Sequence, residues 1–157
     1  MPKFEINNNK ILKLTNVLIY SLMMDINTKL EIEVAKMENY VKSKGSAPLG
    51  PLIQYISPNQ TFLEDTSFGV MIKLMRQSTN FINHTEPPYS MESIIRVKDC
   101  IYTRFIGKES DLGIAYEKIK LVAYEEDFDL VGDSYTIFLE NESGQITADI
   151  FMERANQ

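Results

Sequence analysis

Tryptophan is absent, and cysteine and histidine each occur once in the 157 residues. The lone thiol, Cys100, has no partner within the chain for a disulfide, which fits a reducing compartment. Together with the single His84 it supplies too few nitrogen and sulfur ligands for a zinc cluster, so neither a metal nor a cofactor is expected. Long hydrophobic runs are also missing. The longest, Val17–Met24, covers eight residues and contains Ser21, whereas a membrane helix needs about 20. The opening MPKFEINNNK is polar rather than leader-like, so a cytoplasmic, non-membrane protein is expected. Positive charge is scarce: 16 Lys and Arg stand against 22 Asp and Glu, a net −6. Direct nucleic-acid binding, which needs a basic footprint on the phosphates, is therefore not expected. Neither a phosphate loop, nor a dinucleotide fingerprint, nor a nucleophile elbow is present.

What is present is an ordinary globular composition, 44% hydrophobic and 24% charged, in a chain long enough to bury roughly 70% of its unfolded surface as one domain. The charge is uneven. Residues 1–82 carry nine basic and seven acidic groups, and residues 83–157 carry seven and fifteen. An acidic half suits a cationic ligand or a basic protein surface, or simply a solvated face.

The chain also repeats. A gapless shift of 82 residues gives seven identities in 43 paired positions: Ile19 and Tyr20 on Ile101 and Tyr102, Leu30 on Leu112, Ile32 on Ile114, Lys36 on Lys118, Gly50 on Gly132 and Asn59 on Asn141. Each half reads strand, helix, strand, strand. The first strands are Val17–Met24 and Cys100–Ile106, rich in β-formers. The helices share an apolar stripe stepping by four, three and four residues: Leu30, Val34, Met37 and Val41 in one, Leu112, Tyr116, Ile119 and Ala123 in the other. Asn27 or Thr28, with Glu31 completing a capping box, and Ser110 are the expected N-caps, and Gly45 the expected C-terminal stop. Gly50 and Gly132 open the third elements, Leu52–Ile56 and Ser134–Leu139. The fourth are Gly69–Met75 and Ile146–Glu153, the latter with two distinct faces. The expectation is an α+β fold of duplicated β-α-β-β units, pseudo-repeats 11–76 and 93–154 joined by a crossover at 77–92. Its antiparallel-rich sheet would carry both helices on one face and leave the other open.

The second half resembles the GyrI-like family, the bacterial effector-binding or multidrug-sensor domain. Ile101-Tyr102-Thr103-Arg104 before a helix, then Leu112, Ala115, Tyr116 and Ile119, carry the resemblance. Gly132-Asp133-Ser134-Tyr135-Thr136-Ile137-Phe138 and the closing Thr147-Ala148-Asp149-Ile150-Phe151 complete it. It implies a ligand pocket on the open face between the pseudo-repeats, where a buried acid meets cationic or polar ligands. Asp149 stands where the family usually has Glu, one methylene further back.

The candidate ligand-binding residues are Tyr20, Tyr102, Tyr135, Asp149 and Phe151. A carboxylate among aromatic rings holds a cation by charge and by ring quadrupole together, and tyrosines offer an apolar side with a hydroxyl. Arg104 reads as a surface charge, His84 as a loop residue, Cys100 as a small buried apolar residue, and Glu125-Glu126-Asp127 with Asp129 as a solvated helix end. Met23, Met71 and Met75 could line the open face or fill it. The leading function is a stand-alone, non-catalytic binding protein for a small molecule such as an aromatic or organic cation. The alternative is an interaction or accessory module of a bacterial secretion or toxin locus, pairing with another protein or a second copy of itself. A small hydrolase, with Asp149 activating water and Tyr135 assisting, is a third reading.

Overall fold

The computed structural model describes residues 5–24, 29–64 and 67–155, with side chains at all of these except 24 and 58–71. Along the chain run β1 (Ile6–Met24), α1 (Leu30–Ser43), β2 (Pro48–Glu64), β3 (Ser67–Ser78), β4 (Tyr89–Lys108), a 3-10 turn (Glu109–Asp111), α2 (Leu112–Glu125), β5 (Leu130–Glu142) and β6 (Gln145–Arg154). The fold is α+β, and its strands pair antiparallel. The chain divides into two compact units. The N-unit is Lys13–Ile95; the C-unit joins the segment ending at Leu12 to the segment beginning at Arg96.

In the N-unit, β3 lies between β1 and β2. One face of these strands packs on α1: Leu18, Leu22, Ile72 and Leu74 are buried with Met37 and Val41, and Leu30 and Val34 pack against them. In the C-unit, β6 lies between β4 and β5. There Ile101, Phe105, Ile146, Ala148, Ile150 and Met152 are buried with Ala115, Ile119 and Ala123 of α2, with Leu112 and Tyr116 alongside. The eight residues of the expected helical stripes thus lie in a core or pack against one. Each fully buried aliphatic side chain contributes about 1.5–3 kcal/mol, which is what holds each helix to its strands.

The helices keep the 82-residue offset, starting at Leu30 and Leu112, but the first strands do not. Left-handed Asn16 (φ 49°) and Asp99 (φ 56°) each precede the start of a ladder, at Val17 and at Cys100. From there the strands correspond at 83 residues: Leu18 and Leu22 face α1 as Ile101 and Phe105 face α2. One residue of offset moves a side chain to the opposite face. Tyr20 therefore shares the helix-facing side with Leu18 and Leu22, while Tyr102 points away from α2. The expected equivalence of the two tyrosines is corrected accordingly. The helix starts differ from expectation as well. Ser110 lies in the 3-10 turn, and α2 begins after Asp111; Asn27 and Thr28 lie outside the described residues.

Both helices end in the same way. After α1, the Gly45 amide donates to the Lys42 carbonyl (3.1 Å) and the Ser46 amide to Val41 (3.2 Å), with Gly45 at φ +80°. After α2, the Asp127 amide donates to Tyr124 (3.4 Å) and the Phe128 amide to Ala123 (2.8 Å), with Asp127 at φ 57°. This is the Schellman ending, which demands a left-handed residue and favours glycine. Asp127 fills that position at a steric cost, and adds negative charge at the negative end of a helix already carrying Glu125 and Glu126. Asp127→Gly is expected to stabilise the protein by about 0.5–1 kcal/mol, and Gly45→Asp to destabilise it by a similar amount, both measured by urea unfolding.

Candidate functional site

The burial of Ile146, Ala148, Ile150 and Met152 against α2 turns Thr147, Asp149, Phe151 and Glu153 to the other face of β6. Cross-strand register then decides what they meet. Phe151 is opposite Tyr102 on one side and Tyr135 on the other, so three rings form a row across β4, β6 and β5. The Tyr102 and Phe151 centroids are 4.9 Å apart, tilted at 39°, a favourable aromatic geometry. The Lys10 ammonium lies 6.0 Å from the Tyr102 centroid. Asp149 is opposite Arg104 and Ile137 in the adjacent row.

The Asp149 carboxylate, 13% exposed, is held from three directions. Arg104 Nε donates to Oδ1 at 2.8 Å, Arg104 Nη2 to Oδ2 at 3.0 Å, and the Tyr102 hydroxyl to Oδ1 at 2.7 Å. Such a two-pronged guanidinium–carboxylate pair is strong and directional. Hydrogen bonding and charge from Asp149 push Arg104 still higher in pKa. Burial raises the Tyr102 hydroxyl, and the hydrogen bond to Asp149 adds to it. Arg104 is therefore not a mere surface charge but the counterion of Asp149. Composition could not reveal this, because it depends on the register between two strands 45 residues apart. Glu153 shares the face of Asp149 and Phe151 and lies opposite Cys100; burial raises its carboxyl, and Asp133 raises it further.

Tyr102, Tyr135, Asp149 and Phe151 are thus brought together on one face of the C-unit. Tyr20 is not among them; in the N-unit it packs beside Tyr89, 5.4 Å between centroids. On the N-unit face turned from α1, the row Ile19–Met75–Ile53 is aliphatic and buried, while Met23 is exposed. The Met71 side chain lies outside the described residues. His84 is exposed in the connection between β3 and β4, and Glu125, Glu126, Asp127 and Asp129 are exposed around the end of α2. Among the described residues no cluster of His, Cys, Asp and Glu could hold a metal ion, and no helix is long and apolar enough to cross a membrane.

No protein-family model and no curated relative matches the chain. Solved structures do. A hydrolase from Listeria innocua superposes with a TM-score of 0.60 at 12% identity, covering 98% of this chain and 92% of that one. An uncharacterised conserved protein from Listeria innocua gives 0.60 at 11%, with the same coverage. EcmrR, captured in a complex with DNA, gives 0.62 at 10%, covering 98% of this chain and 58% of its own. At these identities the likeness is one of fold.

Two protons on this face are unusually firmly held. Burial pushes the Cys100 thiol from 9.0 up to about 11, with Glu153 adding to it. Burial pushes Tyr135 from 10.0 up to about 12, followed by the charges of Asp133, Glu153 and Cys100. The folded state keeps these protons where the unfolded chain releases them, so both groups reduce stability as pH rises. Stability is expected to hold below pH 9, to fall through 11 as the Cys100 difference accrues, and from 10 through 12 for Tyr135. Chemical unfolding across that range should show a flatter decline in the Cys100→Ala/Tyr135→Phe double variant. A double-mutant cycle of Arg104→Ala and Asp149→Asn is expected to give a coupling of about 1 kcal/mol, at the upper end for a partly exposed pair.

Proposed function

We propose that this protein is a non-catalytic small-molecule-binding protein of the GyrI-like, effector-binding kind, taking an aromatic ligand on the C-unit face opposite α2. The reading also takes the chain as one domain of two pseudo-repeats, 11–76 and 93–154. The observation that carries it is the row Tyr102–Phe151–Tyr135 across three strands, flanked by the Arg104–Asp149 pair. Stacked rings give a planar ligand a large contact area at small entropic cost, and the adjoining polar pair orients it. The structural likeness to EcmrR supports an effector-binding fold, and the net charge of −6 argues against this chain itself taking the DNA. A hydrolytic role for Asp149 finds no support in its geometry, because the carboxylate is committed to Arg104 and Tyr102.

The same commitment ranks ligands. An aromatic cation reaches Asp149 only by displacing Arg104, so aromatic area counts for more than positive charge in the parent protein. Arg104→Gln removes the competitor and leaves the carboxylate to the ligand. Thermal unfolding with N-phenyl-1-naphthylamine, a neutral aromatic, and with tetraphenylphosphonium, an aromatic cation, separates these contributions by mass action. The parent should be stabilised by the neutral probe. Arg104→Gln should bind the cation about tenfold more tightly, a change worth about 1.4 kcal/mol, and Asp149→Asn in that background should cancel the gain. Tyr102→Ala should weaken both probes. If neither probe at millimolar concentration stabilises the parent, the reading is wrong.

A further inference from the structure

The N-unit holds a separate, open groove of about 510 Å³ between the end of β1 and the start of α1, within the span of small-molecule sites, roughly 300–1,000 Å³. Its walls are of two kinds. Tyr20, Leu22, Met23 and Ile32 are apolar for most of their area, while Glu33 and Lys29 bring one charge of each sign. The exposure of Met23 (43%) and Ile32 (48%) leaves sizeable apolar surface beside those charges.

Among the described residues, the two charges are not spent on each other. Lys29 is the extended residue that precedes α1 and Glu33 lies in its first turn, yet among the described residues the ion pair that Glu33 makes is with Lys36, at a loose 3.7 Å. Lys36 is 62% exposed, whereas the Glu33 side chain is 20% exposed. The contrast with Asp149, gripped by a two-pronged guanidinium, is plain: the Glu33 carboxylate retains acceptor capacity. Burial raises the pKa of the Tyr20 hydroxyl and the neighbouring Glu33 raises it further, and the Tyr20 ring is steadied by Tyr89, which stacks in turn on Tyr40 at 4.2 Å. Lys29 is the N-cap residue of α1 and makes no capping hydrogen bond with its side chain. The positive end of the helix dipole reinforces it as an anion partner.

We propose that this groove binds a zwitterion with an apolar body, the chemistry of a hydrophobic α-amino acid: its ammonium on Glu33, its carboxylate at Lys29 and the start of α1, its side chain against the exposed Met23 and Ile32. The site is independent of the aromatic row of the C-unit.

Amide-resolved NMR titration of the full chain with L-phenylalanine tests it. Phenylalaninamide lacks the carboxylate, and N-acetylphenylalanine lacks the ammonium. L-Phenylalanine is expected to shift the amides of 20–23 and 30–33 saturably, with each single-charge analogue at least about tenfold weaker. Glu33→Gln should weaken L-phenylalanine and the amide but not the N-acetyl compound. Lys29→Gln should weaken L-phenylalanine and the N-acetyl compound but not the amide. Asp149→Asn should leave all three unchanged, so that failure here and failure of the C-unit reading are told apart. Absence of saturable shifts at millimolar ligand overturns the proposal. So does binding of one analogue as tight as the amino acid, or insensitivity to both Glu33→Gln and Lys29→Gln. Shifts that map to 102–104 and 149–151 instead also overturn it.

Discussion

Four side chains of β6, Ile146, Ala148, Ile150 and Met152, are between 0 and 4% exposed, pressed toward Ala115, Ile119 and Ala123 of α2. Sliding β6 by one residue would turn all four to the opposite face and put Asp149 and Glu153 toward the helix. At about 25 cal/mol per Å² of apolar surface, with the added penalty for burying charge, that slip is prohibitive. The register is therefore fixed by packing. Everything on the far face follows from it: the placement of Phe151 between two tyrosines, and the arrival of Asp149 opposite Arg104.

How far the sequence reveals this depends on the range of the interaction. Helix faces are local, and the stepping of Met37 and Val41, or of Ile119 and Ala123, marks the buried side without knowledge of the partner. The stop at Gly45 is also local, since a left-handed residue is what a helix ending requires. Alternation along Ile146–Met152 likewise predicts two faces on the last strand. Cross-strand partners are another matter. Nothing in residues 100–106 alone says which of them meets residue 149, and so Arg104 reads as solvent-exposed charge. Tyr20 fails for a subtler reason. A gapless alignment assumes that the strand and the helix share one offset, but they correspond at 83 and 82 residues. Alternation turns that single residue into a change of face.

The two units have met the same geometric problem with different chemistry. Behind the strands of the N-unit stands an aliphatic row, Ile19, Met75 and Ile53; behind those of the C-unit stand aromatic rings and an ion pair. Aliphatic rows contribute packing and little else. Aromatic rows with a polar neighbour retain hydrogen-bonding capacity on a dry surface, which is the ordinary make-up of a recognition face. The acidic surplus of the second half has the same local character, since most of it is spread over the exposed end of α2 and the turns, away from the ring row.

Cys100 is fully buried, its Sγ directed at the Val97 carbonyl at 3.6 Å, with its thiol held protonated by its surroundings. A sulfhydryl in that state is chemically silent toward aqueous disulfides and alkylating agents. It becomes reactive only in the instants when the ladder between β4 and β6 parts. Being the single cysteine, it makes the chain its own stopwatch: the rate at which a thiol reagent is consumed reads out the opening equilibrium of the C-unit, without a label and without disturbing the N-unit.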